Sequence, residues 1–124
     1  MKAFNKDIGS LGENISEIHL KNLGYRILEK NFRCKCGEID LIATNNGYIC
    51  FIEVKTRYAA NFGLPAESVT FSKQCKIHKT AQVYILRKNI INYNFRFDVM
   101  EVLLNHENNN FSVNHIQDAF QVGF

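Results

Sequence analysis

The sequence predicts an α/β fold, a mixed central β-sheet in the order α-β-β-β-α-β flanked by helices. Three observations carry this expectation. Two segments of helical periodicity bracket a run of three β-rich segments. An Asn-Gly pair, Asn46-Gly47, separates the last two of those segments, which is the strongest short-range signal of a hairpin. The chain has 124 residues, 46% of them hydrophobic and 22% charged, the size and mix of one folded domain spanning 1–124 that needs no disulfide staples.

In order along the chain, residues 10–23 read as a helix. Ser10 and Glu13 have capping-box spacing, Leu11, Ile15 and Ile18 recur at helical intervals, and Gly24 supplies the stop. Residues 25–32 read as a strand. Residues 38–44 and 48–57 are rich in β-branched and aromatic side chains and form the two arms of the hairpin. A loop through Gly63 and Pro65 leads to a second helix over 67–88, whose inner face collects Ile77, Ala81, Tyr84 and Ile85. Residues 95–104 read as another strand, and 111–116 as a short last one.

The formal charge of +3 conceals a division. All 15 Lys and Arg lie in residues 1–96 against 8 Asp and Glu, a net +7. Residues 97–124 carry Asp98, Glu101, Glu107 and Asp118 and no Lys or Arg, a net −4. A basic body permits an anionic partner, and the acidic tail is expected at a sheet edge away from it. No apolar stretch approaches the roughly 20 residues of a membrane span, so no membrane partner is expected. The first residues lack the apolar segment of a signal peptide, and four cysteines (Cys34, Cys36, Cys50, Cys75) suit reduced thiols, so a cytoplasmic location is expected. Cys34-x-Cys36 and Cys75-x-x-His78 make a nominal Cys₃His zinc set, but the spacings lack the repeated Cys-x₂₋₄-Cys pattern of zinc folds. His19, His106 and His115 share no spacing that suggests catalysis.

The hairpin turn sets a register. With Asn46-Gly47 as a two-residue loop, Asn45 pairs with Tyr48, Ile42 with Phe51, Asp40 with Glu53 and Glu38 with Lys55. Alternation puts all of these but the turn pair on one face, while Ile39, Leu41, Ala43, Ile52 and Val54 fill the other. Two carboxylates opposed across a partly apolar face repel, and either one pKa rises or a cation joins them. A hard divalent cation such as Mg²⁺ suits such a pair because it is held by one or two carboxylates and keeps several waters. Lys55 then lies beside the pair as a point charge able to hold a water. The plainer alternative is a solvated face with a Glu38–Lys55 ion pair.

The blocks Gly37-Glu38-Ile39-Asp40-Leu41-Ile42-Ala43 and Phe51-Ile52-Glu53-Val54-Lys55-Thr56-Arg57 resemble the YraN-type family of small bacterial proteins. Their wider pattern, Asp followed by Glu-x-Lys across a hairpin, is similar to the PD-(D/E)xK nuclease superfamily, which includes restriction endonucleases and archaeal Holliday junction resolvases. Gly12-Glu13, Gly24-Tyr25, Asn31-Phe32-Arg33, Phe62-Gly63, Lys73-Gln74, Ala81 and Arg96-Phe97-Asp98-Val99 extend the resemblance along nearly the whole chain. Ser16 and Glu17 depart from it, standing where the family tends to have alanine, and Cys34-Lys35-Cys36 is not a fixed family feature. The resemblance implies a restriction-endonuclease-like core and a metal-dependent endonuclease acting on DNA, branched or structured, in the form of a homodimer. It implies that Asp40 and Glu53 ligate Mg²⁺, or Mn²⁺ in its place, with the Val54 carbonyl. Lys55 would position the attacking water, and Glu13 would stand near the metal unless it only closes the capping box. A module of the same fold that binds nucleic acid with little or no catalysis, alongside a DNA-processing partner, is the alternative.

Three further residues are candidates for phosphate contact. Arg57 continues the face of the Glu-x-Lys strand. Lys73, with Gln74 next to it, lies in the first turn of the second helix, where the helix dipole disfavours a cation. A lysine there is explained if it reaches toward phosphate or the carboxylates. Otherwise it snorkels at the helix edge. Lys76, Lys79, Arg87 and Lys88 add a basic helix surface that touches phosphates without reading sequence. Asp98 is placed outside the catalytic set, as a partner for Arg96 or Lys55.

Overall fold

The computed structural model describes the backbone of residues 2–58, 69–105 and 107–121, with side chains from residue 8 onward. The expected loop through Gly63 and Pro65, the Phe62-Gly63 pair, the Glu67 end of the second helix and His106 lie outside the described residues. The elements follow the predicted order: α1 (Lys2–Asn22), β1 (Arg26–Cys34), β2 (Gly37–Asn45), β3 (Tyr48–Tyr58), α2 (Phe71–Arg87), β4 (Asn94–Leu104) and β5 (Phe111–Ile116). They build an open mixed sheet in the order β1-β2-β3-β4-β5. All neighbours are antiparallel except β3 and β4, whose parallel pairing follows from the crossover through α2.

Each face of the sheet carries its own apolar layer. Ile77, Ala81 and Tyr84 of α2 close over Phe32, Ile39, Ile42, Phe51 and Val99. Leu20 of α1 belongs to the opposite layer with Leu41, Cys50, Ile52, Met100 and Val102. The buried stripe of α1 is Gly12, Ser16 and Leu20, while Leu11 and Ile18, which the apolar periodicity singles out, are exposed. Small residues define that stripe because the helix lies close on the sheet: a Cβ on Gly12 would overlap the Thr56 side chain. Ser10 lies well inside α1, so it caps nothing and the capping role expected for Glu13 falls away. Helix α2 begins at Phe71 rather than at residue 67, because Thr70 is extended (φ −63°, ψ 155°) and its hydroxyl accepts the Lys73 N–H, the geometry of an N-cap.

The β2–β3 turn forms as expected, with Asn46 at φ 51° and Gly47 at φ 80°, both in the left-handed region that a tight hairpin turn requires. The ladder holds the predicted register from Asn45–Tyr48 through Leu41–Ile52 and pairs no residues beyond that point. Alternation along β2 also breaks there. Ile39 joins the α2-side layer with Ile42, although Leu41 faces α1, so Ile39 does not share a face with Leu41 and Ala43 as expected. The cause lies on β1. Asn31, flanked by the pairs Lys30–Leu41 and Phe32–Ile39, is left-handed at φ 52° and so reverses the face of the strand opposite Asp40. The acidic tail is also placed differently from expectation: β4 sits inside the sheet and only β5 forms an edge.

Candidate functional site

The site forms where β2 and β3 part. Below Leu41–Ile52 the Val54 N–H has no β2 carbonyl opposite it and instead donates to Asp40 Oδ2 at 2.8 Å. Asp40 is 9% exposed, and among the described residues nothing donates to its Oδ1. Burial drives its pKa up, the Glu53 charge adds to that, the Val54 N–H opposes it, and Glu13 and Glu38 contribute further repulsion, leaving it at about 7. The Asp40–Glu53 opposition read from the sequence therefore survives as an electrostatic coupling, though the two are not ladder partners. The N–H and C=O of one strand residue point to the same side, so the Val54 carbonyl also faces the gap rather than β4.

Glu53 is nearly buried, and Lys73 from the first turn of α2 reaches it, Nζ to Oε1 at 3.2 Å. The lysine thus reaches the carboxylates, one of the two explanations its sequence position allowed. Lys55, next on the same face, forms no ion pair with a described residue, and its ladder neighbour across β3–β4 is Glu101. Glu101 instead pairs with Arg57, Nη2 to Oε2 at 3.5 Å. Glu38 turns away to Arg33 on β1 at 2.6 Å, so the expected Glu38–Lys55 facing pair does not form. The reversal at Asn31 and Asp40 is the reason, since it removes Glu38 from the Asp40 face. Gln74 donates to the Val69 carbonyl at 2.9 Å and steadies the entry to α2 rather than pointing at the carboxylates. Glu13 is held half-buried near Asp40 by the close approach of Gly12 to β3.

Among the described residues no three His, Cys, Asp or Glu side chains gather as a metal set. The four cysteines are free thiols, and His78 lies against the Phe97 ring at 5.5 Å, so the nominal zinc set is not assembled. The donors the ladder break offers are the charge-coupled Asp40 and Glu53 carboxylates and the Val54 carbonyl, all oxygen and carrying up to two negative charges. They fit a hard cation that keeps most of its water shell and do not fit a soft one.

A second polar cluster was only half visible in the sequence. Asp98 is fully buried and takes Arg96 Nε on Oδ1 at 2.8 Å and Arg96 Nη2 on Oδ2 at 2.9 Å. His115 Nε2 lies 2.8 Å from Oδ2, and the Asp118 N–H donates to Oδ1 at 3.0 Å. Arg96 also donates to the Tyr25 hydroxyl at 2.8 Å. The Arg96-x-Asp98 spacing on one strand face signalled the ion pair, whereas His115 and Tyr25 arrive from distant parts of the chain.

A family model described as "Uncharacterised protein family UPF0102" matches residues 12–102, which contain every residue of this site. Proteins named "UPF0102 protein" are similar along nearly the whole chain. One from Clostridium kluyveri is 54% identical over 122 residues, covering 98% of this chain and all of the relative. One from Clostridium botulinum (strain Kyoto) is 60% identical over 119 residues, covering 95% of this chain and 97% of the relative. One from Clostridium acetobutylicum is 52% identical, covering 98% of this chain and all of the relative.

Proposed function

The chain belongs to the UPF0102 family, and from its hairpin geometry we propose that it is a metal-dependent endonuclease of restriction-endonuclease-like fold. Its reaction is hydrolysis of phosphodiester bonds in DNA, with branched or structured DNA as the substrate class and a homodimer as the working form. The observation that carries this reading is the buried Asp40 carboxylate set against Glu53 at a break in the β2–β3 ladder. Nothing in a sheet requires a strand to surrender its ladder to a buried acid, and an isolated charge there is costly.

Asp40, Glu53 and the Val54 carbonyl would hold Mg²⁺ or Mn²⁺. Once bound, the cation supplies a Lewis acid for a phosphoryl oxygen and lowers the pKa of water. The Val54 N–H fixes Asp40 Oδ2 and leaves Oδ1 to face a ligand. Lys55, without a carboxylate partner among the described residues, holds the attacking water in line and balances the charge that develops on the phosphate. Glu13 adds a third carboxylate at the margin of the site. Arg57 and the basic surface of α2 receive the flanking phosphates.

Cleavage of branched, flapped and linear DNA in Mg²⁺ or Mn²⁺ tests the proposal. Wild type should cut at least one of these, and Asp40→Ala and Lys55→Ala should each lose at least about a hundredfold in rate. Binding without cutting on every substrate and with both metals would replace the nuclease with a DNA-binding module of the same fold.

A further inference from the structure

The Lys73–Glu53 ion pair puts an internal cation on a carboxylate of the metal site. We infer that Lys73 is a latch: its ammonium neutralises Glu53 until a divalent cation displaces it, and the freed side chain then contacts substrate phosphate. This rests on the metal-site reading above and adds to it a coupling between metal loading and nucleic-acid binding.

Four observations support the latch. First, the contact joins two unlike partners, since Lys73 is 51% exposed and Glu53 only 12%. The lysine can therefore swing into solvent while the carboxylate cannot. Second, the backbone beneath Lys73 is anchored on its own, by Thr70 Oγ1 accepting the Lys73 N–H at 3.2 Å and by Gln74 holding the Val69 carbonyl at 2.9 Å. Releasing the ammonium then moves a four-carbon stem and leaves α2 in place. Third, the first turn of a helix repels a cation. No acidic residue lies in that turn of α2, so Glu53 is what draws Lys73 inward.

Fourth, the other charged groups around the site are otherwise committed or differently placed. Arg57 sits on Glu101 of β4, Glu38 sits on Arg33 of β1, and Asp40 is held by Val54. Lys55 on β3 makes no ion pair with a described residue, and Glu13 on α1 adds only negative charge. Lys73 is thus the one basic side chain seated on the carboxylate pair among the described residues. A divalent ion bound to Glu53 competes for the same oxygens with twice the charge. Once displaced, the ammonium lies beside the positive end of α2, where an anionic phosphate is favoured. Metal and phosphate then assist each other through one side chain, and that coupling is reciprocal.

The test is calorimetric titration of MgCl₂ alone into the wild type, Lys73→Met and Lys73→Arg. Loss of the competing ammonium should tighten Mg²⁺ binding by about three- to tenfold in Lys73→Met, whereas Lys73→Arg keeps the ion pair and binds as wild type does. Equal affinity in wild type and Lys73→Met overturns the latch and leaves the metal site standing. Absence of Mg²⁺ binding in all three proteins overturns the metal site and the latch with it. A second measurement follows binding of a branched DNA in Ca²⁺ and in chelator. Ca²⁺ should strengthen binding by wild type more than by Lys73→Met, and the salt dependence in Ca²⁺ should be steeper for wild type by about one phosphate contact. An equal Ca²⁺ effect and equal slopes overturn the phosphate half of the inference.

Discussion

Asp40 and Asp98 are the same residue type on strands of the same sheet, both at least nine-tenths buried, yet their surroundings drive them in opposite directions. Burial pushes both pKa values up. At Asp98 the hydrogen bonds of His115, Arg96 and the Asp118 N–H outweigh burial and hold the carboxyl below its usual range. At Asp40 only the Val54 N–H opposes burial, and Glu53, Glu13 and Glu38 add to the repulsion, so the value climbs to about 7. One carboxylate has all the positive charge and donors it needs. The other has a surplus of negative charge, an oxygen to which no described residue donates, and a gap in the ladder beside it. The satisfied one stabilises the fold, and the unsatisfied one is kept at a cost that a cation would offset under the function proposed above.

The largest effect should come from breaking the satisfied cluster. Asp98→Ala leaves the half-buried Arg96 without its carboxylate and strips His115 of its partner, and it should cost roughly 3–5 kcal/mol in urea unfolding. The folded-state pKa of Asp98 is depressed, so its stabilisation is present above the unfolded value near 3.8 and is lost as pH falls through the folded value. A loss below about 1 kcal/mol would mean that the network is no more than surface pairing.

Asp40 should respond with the reverse sign. Between the unfolded value of 3.8 and the folded value of about 7 the native state holds a proton that the unfolded chain has released, so this residue makes stability fall as pH rises through that window. Asp40→Asn keeps an oxygen for the Val54 N–H and removes the charge. At pH 8 without metal it should stabilise the protein by roughly 2–4 kcal/mol, and at pH 3.5 by almost nothing, while eliminating cleavage. Equal urea midpoints at pH 8 for wild type and variant would show that Asp40 ionises there without penalty.

Most of the route to this contrast was legible in the sequence, and the parts that were not have physical causes. Turn chemistry at Asn46-Gly47 determined the hairpin register as far as Leu41–Ile52, because local backbone preference governs a two-residue loop. The departure below that point was not legible. It depends on a left-handed Asn31 on a third strand, and asparagine tolerates that conformation without requiring it. Helix α1 misled in a different way, since Ser10 and Glu13 have capping-box spacing inside a helix that had already begun. Its inward stripe uses Gly12 and Ser16, which apolar periodicity cannot detect. The candidate acids and Lys55 were named from one hairpin, but the Lys73–Glu53 contact joins separate elements and exists only once α2 has crossed the sheet.

Gly12 connects that helix to the site and gives a smaller prediction. Gly12→Ala sets a Cβ against Thr56 and should lift α1 from β3, costing about 1–3 kcal/mol. Because Glu13 is the next residue, the Asp40 environment loses some repulsion, and the Asp40 titration followed by NMR should shift downward. A destabilised protein with an unchanged Asp40 titration would remove Glu13 from the site.

Ser16 offers the mildest case, a buried polar atom with no charge and no partner among the described residues. Its side chain is fully buried in the α1 stripe, and its Oγ has no hydrogen-bond partner among the described residues. Asp98 shows that burial is tolerated when every oxygen is satisfied, and Asp40 carries a penalty that the proposed cation would relieve. Ser16 has no such relief, because it carries no charge for a cation to offset. Ser16→Ala removes an unsatisfied hydroxyl and substitutes the better helix former, so it should stabilise the protein by roughly 0.5–1 kcal/mol, read as a higher urea midpoint at constant m. The gain should be the same at pH 5 and pH 8 and unaffected by Mg²⁺, unlike that of Asp40→Asn. A gain that vanished in Mg²⁺ would tie the hydroxyl to the metal site and erase the line drawn between a merely imperfect buried group and a functional one.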